Sequence, residues 1–401
     1  MTTVYDSLGV PRLINAVGPS TRLSGGIMRP EVAEAMVEAS QYCVDIAFLQ
    51  ARASDIISEY TGSEAGYVTS GAAAALLLGT AACVTGMDPS KMNRLPDTRG
   101  MHNEIVMARS HRNFYDHAVR SVGIKLVEIG IADRFSGAGV RDAECWEYAA
   151  AITDRTAAVV YVAYPHTQPK LEDVCTVAHD HGIPVLVDAA GQLPPESNLR
   201  RFISEGADLV SFSGGKAIGG PQSSGFLCGR RDLIAAAALQ HLDLDVLPEL
   251  WDPPAGLIDR SQLPGAPQHG IGRPCKVGKE EIVGLLTALR FFVEEDVIKR
   301  DQSWLELMHE LVCACGELSY TQIDLVSDKR RSSTPIVRLE LDEDKAGITA
   351  VELIKSLQDG NPSIAANPSS VDEGVVIFGP TCLKKGEPTL IAKRLKELLN
   401  T

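Results

Sequence analysis

The chain has 401 residues, 45% hydrophobic and 22% charged, which is apolar enough for a folded core and too long for one small one, so two domains are expected. Its net charge of −14 argues against a nucleic-acid partner, whose phosphates require clustered Lys and Arg. Met1–Asp6 lacks the basic start and apolar stretch of a signal peptide, no apolar run is long enough to span a bilayer, and nine scattered cysteines without a C-x-x-C pattern read as reduced thiols, so a cytoplasmic protein without a membrane partner is expected.

In chain order, residues 1–25 read as an N-terminal arm rich in turn residues, 26–285 as a large domain and 286–401 as a small one. Pro30 opens an amphipathic helix through Ala39. The stretch Tyr67-Val-Thr69-Ser70-Gly71 reads as a polar turn running into an alanine-rich helix that reaches Cys83. Unsatisfied N–H groups at such a start attract phosphate, and Thr69 and Ser70 add hydroxyl donors. Strands are expected at Glu104–Ala108, Ile124–Ile129, Ala157–Ala163, Pro184–Asp188, Asp208–Ser213 and Gly225–Cys228, with helices such as Leu171–His181 between them. Alternation of this kind predicts a largely parallel sheet covered on both faces. Leu247–Gly272 holds five prolines and little periodicity, and reads as an excursion over the surface or into a partner subunit. A long helix at Gly278–Glu295 follows. Helices near Trp304–Leu318, Thr349–Leu357 and Pro388–Leu399, with strands at Pro335–Leu341 and Gly374–Phe378, then complete a small α/β domain.

Two of these strands carry the chemistry. Asp188 ends Val185-Leu-Val-Asp188, and Lys216 closes the Ser213-Gly-Gly-Lys216 turn after the next strand, so a carboxylate and an amine are expected at one edge of the sheet, where ligands of open α/β sheets bind. Pyridoxal 5'-phosphate (PLP) requires that pair: a lysine that holds its aldehyde as a Schiff base, and a carboxylate that keeps its pyridine nitrogen protonated. Ser213 is placed to donate to the cofactor phosphate. His111, in Arg109-Ser-His111-Arg112-Asn-Phe-Tyr115 after a strand, is the candidate to stack on the pyridine ring. Two other motif readings fail. Gly270-Ile-Gly-Arg-Pro-Cys275 lacks the third small residue and the preceding strand of a dinucleotide fingerprint, and His179, His181 and His166 do not amount to a metal site.

The order of Thr69-Ser-Gly-Ala-Ala-Ala, Ser110-His111-Arg112, Asp188-Ala-Ala, Ser213-Gly-Gly-Lys216-Ala-Ile-Gly-Gly-Pro221 and Gly270-Ile-Gly-Arg273-Pro-Cys-Lys276-Val-Gly-Lys279-Glu280 resembles the fold-type I PLP enzymes. More narrowly it resembles the branch that holds selenocysteine synthase and the D-glucosaminate-6-phosphate ammonia-lyase-like enzymes, over roughly Asn15 to Leu285. The resemblance implies a PLP-dependent transferase fold and a cofactor linkage at Lys216. It implies a ring-nitrogen contact at Asp188 and phosphate contacts from Ser70, Gly71, Ala72 and Ser213. It also implies that the Gly270 to Lys279 loop reaches cofactor or substrate, from a neighbouring subunit of a homodimer or larger homo-oligomer with shared active sites. Arg273 is then an anion ligand, and Cys275 is singled out by its place beside it.

The resemblance favours β-elimination from a small amino acid with a β-leaving group, either a β-hydroxy amino acid or an amino-sugar acid, giving a 2-oxo acid and ammonia. Racemisation or epimerisation, transamination and selenium transfer are the alternatives. General acid help is assigned to Lys216, His111 or Tyr115, and the substrate carboxylate to Arg273, Arg338, Arg109 or Arg22. The ammonia-lyase branch carries an arginine after a Gly-x-Pro-x-Ile segment and an Asp-Pro-Arg near its C-terminus. Here those places read Gly360-Asn-Pro-Ser-Ile364-Ala-Ala-Asn367 and Gly379-Pro-Thr381, so two anion ligands for a phosphorylated sugar acid are missing.

Overall fold

The computed structural model describes residues 3–131, 142–165, 167–327 and 334–400. The chain forms two compact units, Met28–Val293 and Met1–Ile27 together with Glu294–Thr401. Strand β1 (Leu13–Asn15) belongs to the second.

The first unit is built on seven strands: β2 (Ala65–Thr69), β3 (Glu104–Ala108), β4 (Lys125–Ile129), β5 (Thr156–Val162), β6 (Val185–Asp188), β7 (Leu209–Ser213) and β8 (Gly225–Gly229). Their order across the sheet is β2-β8-β7-β6-β5-β3-β4, and β8 alone runs against the direction of the other six. β5 and β6 are buried along their whole length, as apolar, β-branched strands covered on both faces must be. Alternate residues feed two cores. Val159, Val187 and Val210 face one side, while Val160, Leu186 and Leu209 face the other.

β2 was not expected as a strand; Tyr67–Thr69 was read as part of a turn. Its five residues are fully buried, and Gly66 lets the strand lie against Ile57, where a side chain would collide. The proline-rich segment is exposed over much of its length, but three of its residues join the core of its own unit. Trp251, Leu257 and Ile258 are buried with Leu233, Ile234 and Leu239, because large apolar side chains gain by joining a core.

In the second unit β9 (Thr321–Val326), β10 (Ile336–Leu341), β11 (Ser363–Ala365), β12 (Asn367–Ser370) and β13 (Val375–Phe378) follow. Four of them form an antiparallel sheet of order β12-β13-β10-β9. The segment up to Ile27, of which residues 1–25 are expected as a separate arm, belongs to this unit, where β1 pairs in parallel with β11. Helix Val297–Cys315 starts a full turn and more before the expected Trp304, since the Asp296 carboxylate caps it by accepting from Lys299 N. Met308, Leu311, Leu353, Phe378 and Ile391 are among its core residues. Among the described residues no helix is long and apolar enough to cross a membrane.

Candidate active site

The carboxyl ends of the strands fix the site. Val162, Asp188 and Ser211 are paired in one row across β5, β6 and β7, and Ser213, Gly225 and Thr69 in the next row across β7, β8 and β2. The acid at the end of β6 and the phosphate-type turn after β2 are therefore carried at the same edge.

Asp188 is buried, and its Oδ1 accepts from Ala190 N at 3.0 Å. Burial pushes its carboxyl above the ordinary carboxylate range, opposed by that N–H and by the Lys216 charge. No cation among the described residues comes within ion-pair distance of it, which leaves Oδ2 for a charged N–H donor. Lys216 lies in the turn after β7, with its Nζ 3.9 Å from where a Cβ on Gly191 would stand. Gly191 is three residues beyond Asp188, so amine and acid face a common space.

His111 is buried after β3, and Val162 N donates to its Nδ1 at 3.3 Å. Nδ1 is thus an acceptor, and the neutral ring carries its proton on Nε2. The ring meets Tyr161 edge-on with centroids 4.8 Å apart, and the Tyr161 hydroxyl donates to Pro169 O. The backbone that fixes His111 is the residue in register with Asp188.

Helix Ala72–Thr85 begins at Gly71, whose φ of 142° disfavours any side chain, and a Cβ placed there would meet nothing within 4 Å. The first amides of the helix have no partner within the helix, as at any helix start. Ser211 Oγ ties the helix start to β7 by donating to Ala72 O at 3.0 Å. Ser70 Oγ donates to the Cys275 carbonyl at 2.9 Å, which fastens the Gly270 to Lys279 loop to this turn. Gly270 and Gly272 allow that loop to press on the end of helix Arg231–His241. A Cβ on Gly270 would fall 2.5 Å from Gln240 O, the same oxygen that accepts from Gly272 N.

Two residues that sequence reasoning passed over, Tyr67 and His241, complete this corner. Tyr67 Oη and His241 Nδ1 are 2.8 Å apart, and His241 Nε2 lies 2.9 Å from Cys275 O. Nothing in the sequence marks Tyr67 and His241, 174 residues apart, as a pair. Cys275 was singled out for its thiol, but its carbonyl makes these contacts, and burial raises the thiol's pKa.

The other candidates are exposed, held by partners of their own or carried by the second unit. Arg109 is half exposed and turned to Glu128 and the Gly130 carbonyl; Tyr115 is exposed. Arg273 is paired with Asp243. Arg338, on β10, approaches Glu373 at 3.9 Å, and Arg22 lies in the helical turn Thr21–Leu23; both belong to the second unit. His166 lies outside the described residues, while His179 bonds to Asp208 and His181 to the Val177 carbonyl. A cavity of about 440 Å³ lined by His241, Asp243, Trp251, Arg273 and Lys276 does not include Asp188 or Lys216.

The residues present fit PLP. The carboxylate of the buried Asp188, with one oxygen bonded to Ala190 N, suits a pyridinium N–H, a nearby lysine amine suits an aldehyde, and a helix start beside Ser70 and Ser213 suits a phosphate. This fold and donor set define a PLP-dependent enzyme of fold type I. Residues 21–245 match the family profile for L-seryl-tRNA selenium transferase (SelA), and the chain belongs to that family. It is 32% identical over 403 residues to a 5'-C-glycyluridine monooxygenase-decarboxylase of Streptomyces sp, covering 99% of this chain and 92% of that one. It is 31% identical to the D-glucosaminate-6-phosphate ammonia lyase of Salmonella typhimurium over 98% of this chain and 97% of that one. A solved D-glucosaminate-6-phosphate ammonia-lyase superposes with a TM-score of 0.81 at 30% identity, covering 99% and 98% of the two chains.

Proposed function

We propose that the protein is a PLP-dependent ammonia-lyase that converts a small amino acid with a β-leaving group, of the amino-sugar acid or β-hydroxy amino acid class, to a 2-oxo acid and ammonia. The observation that carries this reading is the convergence of Asp188 and Lys216 at adjoining strand ends, in a chain similar over its whole length to an ammonia lyase. When bound, PLP supplies an electron sink for the pair left on Cα.

The chain's residues do the rest. Asp188 keeps the ring nitrogen protonated, and its own burial is offset by that contact. Lys216 would hold the aldehyde carbon at rest and would take the α-proton of the substrate. The β-hydroxyl leaves with a proton from Lys216 or from His111 Nε2–H, and the released enamine hydrolyses to oxo acid and ammonia. Ser70, Ser213 and the Gly71–Ala72 amides would hold the phosphate, while Arg273 would take the substrate carboxylate after leaving Asp243. We place the enzyme in the cytoplasm as a homo-oligomer. Nine unpaired thiols support the first, and the exposed apolar residues Val37, Tyr42, Val44 and Phe48 support the second.

The test mixes PLP-loaded protein with D- and L-hydroxy amino acids and amino-sugar acids and follows oxo acid and ammonia. Release of both from one compound supports the lyase. Interconversion of enantiomers without oxo acid, or oxygen-dependent loss of carbon dioxide, replaces it.

A further inference from the structure

We propose that Tyr67 and His241 are positioning residues that let Ser70 exchange its hydrogen bond from the Cys275 carbonyl to the cofactor phosphate, so that phosphate binding is coupled to the loop bearing Arg273. The inference rests on the reading that the Ser70–Ala72 turn holds phosphate.

The hydrogen bonds run in one direction. Tyr67 is wholly buried, and the ionised phenol is disfavoured there, so its O–H donates to His241 Nδ1. That makes Nδ1 an acceptor and puts the imidazole proton on Nε2, which donates to Cys275 O. Burial also keeps His241 neutral. Cys275 O thus receives two donors, His241 Nε2–H and Ser70 Oγ–H, which fills both lone pairs.

Ser70 has one proton. While it is given to Cys275 O, the hydroxyl can only accept, and it cannot donate to an anion. To bind phosphate it must turn that proton away from the carbonyl. Without His241, the turn would strand a carbonyl on the loop, and leaving such a group unpaired is costly. With His241 in place the carbonyl keeps one donor throughout. Tyr67 matters because it blocks the other tautomer, in which Nε2 would be a bare acceptor facing a carbonyl oxygen. The same loop is held by Gln240, whose O and Oε1 accept from Gly272 N and Ile271 N, so a change at Cys275 O reaches Arg273 through two residues of backbone.

The experiment titrates apoprotein with PLP by absorbance and fluorescence, and times alkylation of Cys275 with and without PLP. Variants are His241→Leu, which lacks the donor, His241→Gln, which restores one, and Tyr67→Phe, which keeps the ring. Loss of one neutral hydrogen bond of this kind should loosen PLP about tenfold in His241→Leu and several-fold in Tyr67→Phe. His241→Gln should recover most of it, and Cys275 should react faster in the leucine variant than in the wild type. Equal PLP affinity in His241→Leu and wild type overturns the proposal. So does a glutamine variant as impaired as the leucine one, since that marks a packing role. If the leucine variant does not fold, Tyr67→Phe decides: unchanged affinity overturns the proposal, and loosened affinity with unchanged melting supports it. Wild-type protein that takes up no PLP instead contradicts the underlying reading of the site.

Discussion

Arg273 and Asp243 form an ion pair between the Gly270 to Lys279 loop and the residues just after helix Arg231–His241. His269 stands 3.5 Å from the other carboxylate oxygen. The guanidinium is the part-buried member and the carboxylate the exposed one, so the pair can open toward solvent at low cost.

On the proposed role of Arg273, substrate affinity should respond to both partners. Arg273→Ala should raise KM for a carboxylate substrate by about tenfold to a hundredfold, the range for a charge-assisted hydrogen bond, with a smaller change in kcat. Asp243→Asn should lower KM by relieving the competition. Steady-state kinetics of the two variants check this, and an unchanged KM in Arg273→Ala would remove that residue from the substrate.

Asp188 couples function to stability with opposite signs. Its folded pKa lies above the unfolded value, so the folded state binds more protons across that interval, and stability falls as pH rises through it. The penalty is present in full above the folded pKa. Asp188→Asn should therefore melt higher than wild type at neutral pH as apoprotein, with the difference vanishing below about pH 4, while losing PLP affinity and turnover. Melting curves across pH test the sign; an asparagine variant less stable at neutral pH contradicts it.

His111 should separate stacking from proton transfer. His111→Phe keeps a ring against the cofactor but no N–H, so PLP affinity should stay within about threefold, while kcat falls about a hundredfold if Nε2–H helps the leaving group. Equal kcat in both proteins assigns the leaving-group proton to Lys216 alone.

Gly270 is a packing requirement. In Gly270→Ala the new methyl would press on Gln240 O, Cα and Oε1, and should cost about 1 to 3 kcal/mol in denaturant unfolding. A variant as stable as wild type would mean that the loop can lift from the helix without loss.

How much was legible followed from how local each signal is. β6 and β7 could be read because short, apolar, β-branched runs end in Asp188 and Ser213, and helix Ala72–Thr85 because alanines follow Ser70-Gly71. β2 was hidden by its own end, since Thr69 and Ser70 look like loop although Thr69 is buried. β9 alternates half-exposed residues and stayed below notice. Individual arginines were the least readable. Arg109 and Arg273 have the right chemistry and the right neighbourhood, but Glu128 and Asp243, which hold them, are visible only once the chain is folded. The Tyr67–His241 contact is of the same kind.

The most direct test of the account is borohydride reduction of the PLP-loaded protein followed by peptide mapping. One cofactor label should appear, on Lys216, and the Lys216→Ala variant should stay unlabelled while melting as the wild-type apoprotein does. A label on another lysine, or none in protein saturated with PLP, would contradict it.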